Sequence, residues 1–222
     1  MKQNQARFES FPRKLEILEL EMLFDVINDF LNDEQAKNIY LHKRRFRDED
    51  TNQILLAGVQ VFRRQMVILL KTYLEQIIKD FSTNVFIGKP EKMTTYLLLD
   101  EFQDDKSLRE LEKILGESKT TALNELPQNA AARVMRGKLS RILNKVEVIS
   151  GAKIKKQTKE TLIKLNDVRT HIVHDASNKE IGTKFLYEGL EAVRDLIASL
   201  REVCAINNIS DVDEQDEIDY WE

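Results

Sequence analysis

The sequence predicts an all-α protein, a single bundle of about five to seven helices joined by short antiparallel links. Three observations lead there. Chain breakers are scarce, with 7 Gly and 3 Pro in 222 residues, so long helices are expected and a turn-rich β fold is not. Apolar residues recur at helical spacing, and no segment shows sustained strand alternation. Hydrophobic residues make up 42% and charged residues 32% of the chain, a balance that supports a packed core and argues against wholesale disorder.

The elements follow in order. Residues 13–33 are apolar at Leu15, Leu18, Leu20, Leu23, Phe24, Ile27, Phe30 and Leu31, which is helical spacing. The charged stretch "HKRRFRDED" at 42–50 belongs at the surface. A long helix is expected from Asp50, a suitable N-cap, to about Phe81. It is apolar nearly all round, as the central helix of a bundle should be. "GKP" at 88–90 is a break. Segments at 91–103 and 106–115 follow, the second stopped by Gly116 just past its end. Pro127 should open a helix over 128–149 that Gly151 closes. Two more helices are expected over about 157–175 and about 183–207. Residues 1–210 thus form the bundle, and 211–222 an acidic, disordered tail.

Composition excludes several function classes. The single cysteine, Cys204, has no internal disulfide partner, and a reducing cytoplasm is the expectation. The start of the chain shows no apolar secretory stretch. The longest unbroken apolar run is "MVILL" at 66–70, far short of the ~20 residues that span a bilayer, so no membrane partner is expected. No Gly-rich phosphate loop, CxxC or HExxH occurs, which argues against cofactor nucleotides and a zinc site. Neither a cofactor nor a metal is expected.

The net charge of −4 is unevenly spread. Residues 211–222 carry seven acids and no base, which leaves +3 for residues 1–210. Residues 129–164 hold ten bases against Glu147 and Glu160, a local +8. Such a field recruits polyanions whatever the overall pI. On the expected 128–149 helix, Met135, Leu139, Ile142, Leu143 and Val146 share one face. Arg133, Arg136, Lys138, Arg141 and Lys145 spread over the other. That face is either solvated surface or a phosphate-tracking one, and with Lys155 and Lys156 it forms the candidate RNA-binding set.

The stretch "NDVRTHIVHD" at 166–175 holds two of the three histidines and, five positions before the second, Arg169. Arginine offers a permanently charged fork for phosphate oxygens, and histidine moves protons near neutral pH. Leu162, Leu165, Val168, Ile172 and Ala176 mark the core face of this helix. Arg169 and His174 fall about 140° apart on an ideal helix. Either the helix loosens near residue 173, or the pair works with residues of a second chain.

"LIKLNDVRTHIVHD", the following "GTKFLYEGLEAVRDLIASLREV" and the early "RRQMVILLKTYLEQIIKDF" together resemble the HEPN superfamily. Its signature is an arginine, four to six residues, then a histidine, here Arg169 to His174. The resemblance spans roughly residues 50–205. It implies a helical bundle that commonly dimerises, bringing two Arg–His pairs into one cleft. It also implies a metal-independent endoribonuclease of a defence or toxin–antitoxin system, with an antitoxin or other defence protein as partner. Other members are inactive binding or dimerisation modules. On this resemblance Arg169 binds the scissile phosphate and His174 is the acid/base, with Asp167, Thr170, His171 and Glu75 as auxiliary candidates. Thr170 stands where the family often has Asn, Asp or His. Ala176 stands where some members carry a tyrosine that receives nucleotides, so that regulation is not expected here. His171 either assists or caps the surface. Glu75 interrupts the heptad line of Ile54, Val61 and Ile68, and either marks where that stripe reaches solvent or supports Arg169.

Overall fold

The computed structural model describes residues 14–33, 35–37, 39, 48–98, 119–174 and 180–209. These are overwhelmingly helical, with no strand among the described residues. In chain order the helices are α1 (Lys14–Asn32), α2 (Asp48–Gly88), α3 (Pro90–Leu98), α4 (Lys119–Val134), α5 (Leu139–Ser150), α6 (Lys156–His174) and α7 (Thr183–Asn207). The expected segment at 106–115, most of the charged stretch at 42–50 and the acidic tail lie outside the described residues. The chain divides into two compact units.

One unit comprises Arg13–Thr72 and Thr161–Val193. Its core joins Leu20 and Phe24 of α1, Val59, Met66, Val67 and Leu70 of α2, Leu162, Leu165 and Val168 of α6, and Leu186, Leu190 and Val193 of α7. The Phe24 ring meets Tyr187 edge-on with centroids 4.6 Å apart. Tyr187 donates its hydroxyl to Asp25 at 2.5 Å, so a polar latch rims the apolar contact of α1 with α7. Gly189 lets α7 pack close against α6 and α2. A Cβ built there would stand 3.3 Å from Leu165 Cδ1 and 3.6 Å from Leu70 Cδ1.

The other unit comprises Met1–Pro12, Tyr73–Glu160 and Arg194–Glu222. α3 packs on α4 and α5, and α4 packs on α5. Leu74, Ile77, Ile78, Phe81, Val85 and Phe86 of α2 are buried with Tyr96, Val134, Leu143, Val146, Leu196 and Leu200. Phe86 and Tyr96 stack at 5.6 Å. The sequence expectation stopped α2 near Phe81, but the helix runs on to Gly88. Ser82 and Thr83 return their hydroxyls to the carbonyls of Ile78 and Lys79 at 2.7 and 2.9 Å. Both hydroxyls are thereby satisfied inside the helix, and Val85 and Phe86 carry the buried stripe onward.

The single helix expected over 128–149 is two. Pro127 lies inside α4 rather than opening a helix, and residues 135–138 form a turn. Gly137 takes φ 108 there, a left-handed backbone that strains any residue with a Cβ. The apolar periodicity continues through the turn, which is why spacing alone ran the two helices together. Gly151 closes α5 as expected, in the left-handed region with its N–H on the Glu147 carbonyl.

Candidate functional site

α6 carries the Arg–His pair. The helix is unbroken through His174, so it does not loosen near residue 173. Leu162, Leu165 and Val168 are buried and Ile172 is half-buried, the core face read from the sequence. Arg169 lies beside that face and is half-buried. Asp167, Thr170, His171 and His174 are all exposed. Their i, i+3, i+4, i+7 spacing places them on one side of the helix. Thr170 donates its hydroxyl to the Asn166 carbonyl at 2.9 Å. The structure therefore groups both histidines with Asp167 and Thr170, and leaves Arg169 about 140° around the axis from His174. Both histidines fall in the last helical turn.

Residues far along the chain hold the backbone just before α7. Gln60 of α2 accepts a hydrogen bond from the Ile181 amide at 2.8 Å and donates to its carbonyl at 3.5 Å. Arg63 donates to the same carbonyl at 3.1 Å and to the Thr183 hydroxyl at 2.7 Å. Two side chains one turn apart thus hold the backbone where α7 begins, and Ile181 is buried beneath them. No sequence motif announces this clamp, because its targets are mostly backbone atoms about 120 residues away.

Glu75 does not interrupt a buried stripe. On its heptad line Val61 is 53% exposed and Ile68 half-buried, and Glu75 itself is exposed. The buried stripe of α2 runs instead through Val67, Leu70, Leu74, Ile78, Phe81 and Val85. Glu75 also belongs to the unit that does not contain Arg169.

The basic set separates into different environments. Arg136, Lys138 and Arg141 are exposed around the α4–α5 turn, and Arg133 is half-buried beside them. Lys155 reaches Asp195 of α7 at 3.3 Å, and Thr158 donates to the same carboxylate at 3.1 Å. Lys156 pairs one turn along with Glu160 at 3.8 Å. Lys159 pairs with Glu147, which also accepts the Ile154 amide at 3.0 Å. Counting charge along 129–164 missed Asp195, which the fold brings in from α7.

Lys145 corrects the sequence reading outright. It is 6% exposed, not part of a solvent-facing cationic surface. Its ammonium donates to the carbonyls of Arg133, Val134 and Arg136 at 3.2, 3.4 and 3.0 Å. Those carbonyls end α4 and begin the turn, and the Arg133 carbonyl also accepts the Arg136 amide at 3.1 Å. Burial pushes the Lys145 pKa below 10.5, and the charges of Arg141 and Arg136 lower it further. The break between α4 and α5, unseen in the sequence, is what turns this lysine inward.

Comparison of the chain with protein-family models, curated proteins and solved structures gives no match. No described helix is long and apolar enough to cross a membrane.

Proposed function

We propose that the chain is a metal-independent, HEPN-like endoribonuclease, acting as a cytoplasmic homodimer in a bacterial defence or toxin system. The observation that carries this reading is the end of α6. His174 and His171 are exposed there beside Asp167 and Thr170, with Arg169 half-buried one turn before the end. An imidazole takes the proton of the ribose 2′-hydroxyl, whose oxygen then attacks phosphorus. The guanidinium of Arg169 steadies the charge gathering on the phosphate oxygens. A proton passes to the departing 5′-oxygen, and a 2′,3′-cyclic phosphate remains. Arg169 and His174 diverge on one helix, so a second copy supplies the complementary member of each pair. RNA reaches the protein through Arg133, Arg136, Lys138 and Arg141. An antitoxin or another defence protein is the proposed macromolecular partner.

That same divergence favours a second reading, a non-catalytic helical module that binds RNA, nucleotide or a protein. Incubation of the purified protein with RNA in EDTA separates the two. The nuclease should leave cyclic-phosphate or 3′-phosphate ends, and His174→Ala should slow cutting by about a hundredfold or more. The exposure of His174 should leave thermal unfolding little changed in that variant. Cleavage at an undiminished rate by His174→Ala would reject the site. Intact RNA after incubation with the wild-type chain would favour the binding module.

A further inference from the structure

We propose that Lys145 is the positioning residue of a phosphate-binding turn, holding the α4–α5 connection so that Arg133, Arg136, Lys138 and Arg141 meet an RNA strand as one prearranged set. This rests on the RNA-binding reading of that surface. The ammonium is buried, and it donates hydrogen bonds to the carbonyls of Arg133, Val134 and Arg136. One side chain from α5 therefore ties down both the end of α4 and the start of the turn. Gly137, at φ 108, supplies the reversal between Arg136 and Lys138. Arg136, Lys138 and Arg141 project from this braced backbone into solvent.

The charges of Arg136 and Arg141 both act on Lys145, so the turn gathers cations around a buried cation. A strand of phosphates relieves that repulsion and releases its own counterions. A braced turn loses little conformational freedom on binding, whereas a loose one would have to be ordered first, at a cost in affinity. Lys145 is buried and acts through the backbone, so it contributes no phosphate contact of its own.

The salt dependence of binding separates contact from positioning. The probe is a fluorescently labelled oligouridylate, titrated across a salt series with the full chain carrying His174→Ala to prevent cleavage. Arg136→Ala and Arg141→Ala should each reduce the slope of log affinity against log salt by about 0.7, the single-strand value for one phosphate contact. Lys145→Met should weaken binding about tenfold with the slope unchanged, because the turn must then be ordered on binding. Gly137→Ala strains the same turn from its other side and should show the same signature, which covers failure of Lys145→Met to fold. A slope lowered in Lys145→Met by one contact's worth would make Lys145 a phosphate ligand and overturn the proposal. Full affinity in the folded Lys145→Met or Gly137→Ala protein would reduce the brace to a stabilising contact and overturn it too. Unchanged slopes in both arginine variants would reject the RNA surface itself, and the proposal with it.

Discussion

Tyr187 shows how a single proton ties two helices together. Its hydroxyl donates to Asp25 and accepts from Asn28 at 3.4 Å. The pKa of the phenol is raised above 10.0, first by the Asp25 hydrogen bond and then by burial. The bond needs the protonated phenol. Its stabilisation is therefore complete below pH 10.0, the unfolded value, and is lost as pH rises through the higher folded value. Tyr187→Phe should cost about 0.5–1 kcal/mol at neutral pH, a hydrogen bond discounted for partial exposure. Urea unfolding at about pH 9 and about pH 11 should show a smaller alkaline loss in the variant than in the wild type. Equal losses would mean that the latch does not titrate. Neither Asp25 nor Tyr187 stands out in the sequence, since their partnership spans 162 positions. Arg169 and His174 do stand out, because their pattern is local. Their divergence was equally legible, since it follows from helical geometry alone.

At the scale of elements, amphipathic spacing marks a helix well when one face packs throughout, as in α6 and α7. It fails at α4 and α5, where an apolar rhythm crosses a turn without a change of phase. The one local sign of that turn is Gly137. Its significance depends on a φ that only the folded chain shows. Helix contacts depend on shape as well as pattern. Gly189 lets α7 approach Leu165 of α6 and Leu70 of α2, both fully buried. Gly189→Val adds three carbons where the first already stands 3.3 Å from Leu165 Cδ1. It should destabilise the protein by about 1–3 kcal/mol through overpacking, despite the better helix propensity of valine. The urea midpoint reads this directly, and an unmoved midpoint would mean that Leu165 yields without strain.

For the whole molecule the central expectation is assembly. An unbroken α6 turns Arg169 and His174 away from each other, so the proposed ribonuclease site needs two chains. The protein should sediment as a dimer at micromolar concentration, and mixing His174→Ala with Arg169→Ala chains should restore part of the cleavage that each lacks alone. A monomer that cleaves RNA would contradict the two-chain site. The amino-acid sequence by itself determined the helical class, the bounds of α6 and α7 to within a residue or two, and the placing of both histidines near one helix end. All of these follow from periodicity, scarce breakers and neighbours in the chain. Tertiary structure alone decided that Lys145 turns inward, that Asp195 draws in Lys155, that Gln60 and Arg63 grip the start of α7, and that Glu75 lies outside the buried stripe. Each of these depends on atoms brought together from distant or differently oriented segments. A hydrogen bond or ion pair forms where donors and acceptors meet in space, and linear spacing encodes that meeting only within a single continuous helix.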